Sequence, residues 1–235
     1  MEAIMKLKII LLYVIGLFIL MGWVKDLSAQ NIQLHYDFGK ADNFEELINR
    51  RYFTSTLEVF KPDKTGSTFL FVDIDFDKPN GGASLAYFEV VRKFTLNRKS
   101  GLSAHIELND GSPSYIRQAW LAGLAYPVRL GKVILHTSLL YRANQGASRP
   151  DGQLTIVWFH SFLNDRIVFN GFFDFWTQDK FIGSGKDGVL LSEPQLWFLL
   201  TENFALGSEI EISRNFFSFD GDVEAMPTIG LKWTF

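Results

Sequence analysis

Ser67-Thr68-Phe69-Leu70-Phe71-Val72-Asp73-Ile74-Asp75-Phe76-Asp77 carries the pattern that decides the fold. Its even positions Leu70, Val72, Ile74 and Phe76 are apolar, while Asp73, Asp75 and Asp77 occupy odd positions. Successive side chains of a β-strand point to opposite faces, so this strand has one greasy face and one acidic face. The same split separates Leu102, Ala104, Ile106 and Leu108 from Ser103, His105, Glu107 and Asn109. It returns in 203–215, where Phe204, Leu206, Ile210 and Ile212 oppose Glu209, Glu211 and Ser213.

Segments of this kind recur along the chain at 31–38, 52–61, 67–77, 83–96, 101–109, 115–130, 132–143, 152–163, 166–178, 188–200, 203–215 and 224–235. They are divided by Gly, Asn, Asp, Pro and Lys clusters, with no helical periodicity between them. The expectation is an all-β, up-and-down antiparallel transmembrane β-barrel of about 12 strands, an even number as single-chain bacterial barrels have. Connections alternate in length: 61–66, 97–100, 131, 164–165 and 201–203 are short, whereas 39–51, 78–82, 110–114, 144–151, 179–187 and 216–223 are longer. Membrane barrels place tight turns on the periplasmic side and longer loops outside. A soluble lipocalin-like barrel or sandwich alternates too, but with its apolar face buried. Strands of about 9–11 residues suit a tilted bilayer crossing, and Trp120, Tyr141, Trp158, Phe162, Trp176 and Trp233 are candidates for interfacial aromatic girdles.

The N-terminus bears on the compartment. Lys6 and Lys8 precede an apolar run from Ile9 to Trp23, and Ser28 and Ala29 offer a cleavage point before Gln30. This reads as a cleaved signal peptide over 1–29 followed by a barrel domain over 30–235, since a helical span needs about 20 apolar residues. There is no cysteine, which leaves no disulfide, thiolate metal site or lipid-bearing N-terminal cysteine. The net charge of −3 gives no electrostatic basis for a nucleic-acid partner. The 23 phenylalanines and 15% aromatic content beside 21% charged residues suit aromatic-rich strands.

The closing strand alternates Ile229, Leu231, Trp233 and Phe235 with Thr228, Gly230, Lys232 and Thr234. It resembles the terminal signature by which Gram-negative outer-membrane barrels are recognised for insertion, which implies the barrel assembly machinery and membrane lipid as partners. Together with Tyr87-Phe88-Glu89-Val90-Val91-Arg92-Lys93-Phe94 and Gly230-Leu231-Lys232-Trp233-Thr234-Phe235, the plan resembles the nucleoside-specific channel-forming outer-membrane proteins (Tsx-like) and related Bacteroidetes barrels of unknown function. That family has Pro before its Arg where this chain has Val91. The resemblance implies an outer-membrane location, a passive channel and a small-molecule, nucleoside-like solute. It supplies no residue-by-residue ligand contacts.

With the apolar rows toward lipid, the other rows line the lumen. The expected solute pathway comprises Asp73, Asp75, Tyr87, Glu89, Lys93, Glu107, Arg117, Arg142, Asp174, Trp176, Glu193, Trp197, Glu209 and Glu211, with Asp37, Glu58 and Asp77 adding to an acidic wall. Such a wall favours cations and neutral polar solutes if it is wet, or forms a plug of salt bridges if it is not. Phe69, Tyr87, Phe172, Trp176 and Trp197 are inward aromatics on which flat rings would stack or which merely fill the lumen. No cofactor and no metal site are expected, since His35 and His105 lack ligand spacing. An enzymatic alternative, an outer-membrane lipid or ester hydrolase, rests on His136 and Ser138 sharing one strand face.

Overall fold

The computed structural model describes residues 29–39, 50–180, 183–216 and 221–235. The leader expected over 1–29 therefore lies outside the described residues except for Ala29. Thirteen strands follow: β1 (Ala29–Asp37), β2 (Phe53–Asp63), β3 (Gly66–Phe76), β4 (Leu85–Asn97), β5 (Leu102–Ser112), β6 (Ala119–Leu130), β7 (Val133–Asn144), β8 (Asp151–Phe162), β9 (Ile167–Asp179), β10 (Lys186–Ser192), β11 (Gln195–Leu199), β12 (Phe204–Arg214) and β13 (Val223–Thr234).

Every neighbour in the wall is antiparallel, and β13 returns to pair with β1 from Asn31↔Thr234 to Asp37↔Thr228. The sheet is closed and has no free edge. β10 and β11 are two halves of one stave, because both pair with β9 and β12 and the register continues across the gap. The barrel therefore has twelve staves. The sequence pattern runs 188–200 as a single strand; the interruption falls at Glu193-Pro194, where proline has no N–H for the ladder. Glu193 N still donates to Phe172 O at 3.1 Å and Ile210 N to Pro194 O at 3.1 Å, so the break is held on both sides. The largest other boundary shifts are that β6 starts at Ala119 rather than 115 and that β5 runs on to Ser112 rather than 109.

Short turns lie at one end, the end that also carries both ends of the closed sheet, and longer connections lie at the other. Asn97, for example, closes the β4–β5 turn by accepting the amides of Lys99 and Ser100 at 2.9 and 3.2 Å. The parts of the long connections at 40–49, 181–182 and 217–220 are outside the described residues.

The faces divide as the alternation predicts, and the apolar one is outside. Ile32, Leu34, Ile106, Trp120, Leu124, Leu139, Tyr141, Leu206 and Leu231 are all exposed on the wall, while Gln33, His35, His105, Glu107, Asn109, Ser138 and Gln153 are buried within it. A water-soluble barrel would bury the first set and solvate the second. The outer rows of β2, β3 and β4 are crowded enough that Val59, Leu70 and Val72 shield one another, with Leu57, Phe88 and Val90 packed beside them. Trp120, Tyr141, Phe162 and Trp233 face outward with substantial exposure, as girdle aromatics would. Trp176 does not join them, because its parity on β9 turns it inward, where it is buried.

Candidate functional site: the lumen

The interior is a belt of polar side chains that answer one another across neighbouring staves. On β1, His35 sits between Thr228 Oγ1 and Gln33 Oε1, both at 2.9 Å from its ring nitrogens, and Asn31 Nδ2 donates to Glu58 Oε2 at 2.8 Å. Thr54 and Thr56 of β2 donate to Asp75 and Asp73 of β3 at 2.8 and 2.5 Å. Tyr87 Oη donates to Glu89 at 2.6 Å. On the far wall Gln195 Nε2 donates to Glu209 at 2.5 Å, while its Oε1 receives Trp197 Nε1 and Asn170 Nδ2, both at 2.9 Å. Inside a low-dielectric wall each unmet polar group is costly, so this mutual satisfaction allows the acidic rows to face inward.

Carboxylates outnumber the cations set against them. Glu193 faces Glu209, Glu211, Asp73 and Glu89, and Glu89 in turn faces Glu107 and Asp174. Arg50, just before β2, bridges Asp37 and Glu211 at 3.3 Å each. Lys93 lies near Glu107, and Lys232 near Glu58 and Glu209. Arg142 bonds neutral amides instead, Asn144 at 2.8 Å and Gln153 at 2.5 Å, and its guanidinium lies 5.2 Å from the centre of the Trp176 ring. Four buried carbonyl or carboxylate oxygens, Asn109 Oδ1, Asn170 Oδ1, Asp174 Oδ1 and Glu211 Oε1, have no hydrogen-bond partner among the described residues. The leftover groups in the belt are thus predominantly acceptors, which suits N–H donors, water and cations. Among the described residues no cluster of three or more His, Asp or Glu side chains is arranged to hold a metal ion.

The waist is narrow. Gln33 is 0% exposed and Trp197 is 1% exposed, so side chains rather than open water fill much of this level. Trp197 fits because its neighbours are small. A Cβ placed on Gly207 would stand 2.4 Å from Trp197 Cε3 and 2.5 Å from the Leu196 carbonyl, so only glycine leaves the ring its place. The Lys232 ammonium lies 4.1 Å from the centre of the same ring, and His35 meets it edge-on at 5.5 Å. Other carboxylate-bearing positions, including Asp73, Asp75, Glu89, Asp174, Glu193, Glu209 and Glu211, keep partial exposure.

Most sequence-expected pathway residues meet in this belt: Asp73, Asp75, Tyr87, Glu89, Lys93, Glu107, Arg142, Asp174, Trp176, Trp197, Glu209 and Glu211 lie on inward rows of β3 to β12. Glu193 belongs with them but sits in the β10–β11 break. Arg117 does not line the wall. It precedes β6 and is exposed near Gly146 of the β7–β8 loop, because the sixth stave begins two residues later than that placement needs. Asp77 is likewise exposed beyond β3.

The hydrolase pairing fails on geometry. Ser138 bonds His105 Nδ1 at 3.1 Å, not His136, and His105 Nε2 meets Glu107 at 2.8 Å. His105 reaches β7 across β6, where Gly123 and Ala125 present little bulk. Ser138 and His105 are each 2% exposed, which leaves no room at the hydroxyl for an ester. Arg50, Gln195 and Lys232 take part in the site although sequence reading did not single them out; the inward parity of Gln195 and Lys232 was the available signal.

The family described as "Domain of unknown function (DUF5020)" matches residues 29–235. No curated protein matches the chain. Among solved structures, the NanC porin is similar at 11% identity, covering 87% of this chain and 99% of that one, with a TM-score of 0.53. The KdgM porin aligns at 14% identity over 88% of this chain and 99% of that one, with a TM-score of 0.47. At such identities the likeness is one of fold, that of outer-membrane porins.

Proposed function

From a chain that belongs to the DUF5020 family and has an outer-membrane porin fold, we propose a narrow passive channel of the outer membrane for small polar solutes. The observation that carries this reading is the inverted wall, with apolar rows outside and an acidic, hydrogen-bonding belt inside. The excess of Asp73, Asp75, Glu89, Glu107, Asp174, Glu193, Glu209 and Glu211 over Arg50, Lys93, Arg142 and Lys232 favours cations and neutral solutes over anions. Purified protein in planar bilayers is expected to give small conductance steps, with a reversal potential in a KCl gradient of the sign set by K⁺ passage. Anion preference would overturn the selectivity.

Nucleoside-like molecules are the narrower solute class, supported by the Tsx-like resemblance and by inward Phe69, Tyr87 and Phe172. Trp176 and Trp197 contribute less to this than their ring size suggests, because Arg142 and Lys232 already lie over them. Added adenosine or thymidine should then lower the conductance; an unchanged trace removes the nucleoside. A plugged structural barrel is the second reading, favoured by the tight packing of Gln33 and Trp197 at the waist. Complete absence of conductance from a folded, heat-modifiable preparation selects it.

Export by a cleaved leader and insertion through the barrel assembly machinery complete the proposal. Ile229, Leu231, Trp233 and Phe235 face outward together, and Trp233 stacks on Phe204 with ring centres 6.2 Å apart. In assembly-machinery vesicles Phe235→Ala is expected to slow insertion, with unassisted refolding in detergent unchanged. Equal insertion rates would remove Phe235 from that role.

A further inference from the structure

The rim at the short-turn end carries a feature that the channel does not use. Between the β4–β5 turn and the end of β6 lies an open cleft of about 430 Å³, lined by Arg98, Lys99, Ser100, Tyr126, Val128 and Arg129 among others. No carboxylate lines it. Among the described residues none of its three cations enters an ion pair, whereas Arg92 on the same rim is engaged by Asp63 at 2.5 Å.

The cleft is built rather than incidental. Asn97 fixes the turn through the amides of Lys99 and Ser100. Gly101 has φ of 79°, and a Cβ there would lie 2.6 Å from Pro127 Cγ, so glycine lets the turn press onto β6. Arg98 Nη2 is tied to Lys64 O at 3.0 Å across the neighbouring turn, which holds the guanidinium in place and leaves its charge uncompensated. Just beyond the cleft the wall is greasy: Leu96, Leu124, Tyr126 and Leu130 are exposed on the outward rows of β4 and β6. Arg98 and Lys99 of the turn stand at the rim above this apolar strip, which matches an anionic head with acyl chains, whereas Arg129 ends the inward row of β6.

We infer that this cleft binds the head group of an anionic phospholipid of the leaflet at the short-turn end, with Arg98 and Lys99 on the phosphate and the acyl chains along Leu96, Leu124 and Leu130. The site stands whether or not the lumen conducts.

The test uses the folded barrel in a zwitterionic detergent, with short-chain phosphatidylglycerol and phosphatidylcholine compared by native mass spectrometry and by titration. Phosphatidylglycerol should be retained at one molecule per barrel in preference to phosphatidylcholine. Replacing Arg98 and Lys99 together by Gln should weaken it by on the order of 25-fold, taking roughly fivefold for each cation near a membrane surface. Lys78→Gln with Arg149→Gln, at the opposite end, should leave it unchanged, and heat-modifiable mobility confirms that each variant is folded. Equal retention of the two lipids, or equal losses in the two sets of variants, would overturn the inference. So would displacement of the lipid by inorganic phosphate at matched concentration, since the ligand would then be the bare anion.

Discussion

Ile106 and Glu107 are joined by one peptide bond and live in different solvents. Ile106 is 45% exposed on the outer wall, whereas Glu107 is 4% exposed and bonded to His105 within it. The same contrast runs along β7, where Leu139 is outward and Ser138 inward. It teaches that burial and polarity have exchanged their usual partners. The hydrophobic term here comes from lipid meeting the rows of Ile, Leu and Phe, and the interior is held by hydrogen bonds and charge.

The sharpest way to break this contrast is to move charge from one face to the other. Leu139→Arg, on the outer row midway along β7, should lower folding stability in lipid vesicles by about 2–4 kcal/mol. Thr155→Lys, on the inward row of β8 near Asp174, should lose less, and urea titrations of both compare them. Equal losses would mean that the two faces do not differ as described. Next in size, Gly207→Val forces a side chain onto Trp197 and the Leu196 carbonyl and should cost about 1–3 kcal/mol by overpacking, read as a lower temperature for loss of the heat-resistant gel form. A neutral result would show that the waist can relax.

Within the lumen, Glu89→Gln combined with Glu209→Gln should cut the preference for K⁺ over Cl⁻ severalfold while preserving the fold. An unchanged reversal potential would place the selecting charges elsewhere. The smallest effect belongs to the long-loop end. There Lys186 reaches both Asp179 and Asp151, at 2.8 and 2.9 Å, and Ser148 adds its amide and hydroxyl to Asp179. The Lys186 hydrogen bond, followed by those from Ser148, holds the Asp179 carboxyl down from 3.8 to about 2. A depressed carboxylate contributes its stabilisation above its unfolded value and loses it as pH falls through the folded one. Protease protection of the 145–150 loop should therefore be full above pH 3.8 and fade toward pH 2, whereas Asp179→Asn should be weakly protected throughout.

The strands and their faces were legible because a period of two is a local property: Leu70, Val72 and Ile74 against Asp73 and Asp75 need no knowledge of any neighbour. Loop asymmetry was equally local. The break at Pro194 was signalled by a proline inside an alternating run, yet the alternation continues through it and conceals the gap. The partner of Ser138 was not legible. His136 is close in sequence and shares its face, but His105 wins by crossing a third strand at Gly123 and Ala125, a matter of register over three staves. Nor could composition foretell that Arg142 and Lys232 would settle on indole rings rather than on carboxylates, since that depends on which inward rows come to one level.

The stave divided at Glu193-Pro194 has a mechanical consequence. A closed wall resists lateral parting through an uninterrupted ladder, and this wall is thinnest where pieces of seven and five residues meet. Under heat or pulling force it should tear there first, and the amides of the short β11 should exchange with deuterium sooner than those of the unbroken β9 beside it.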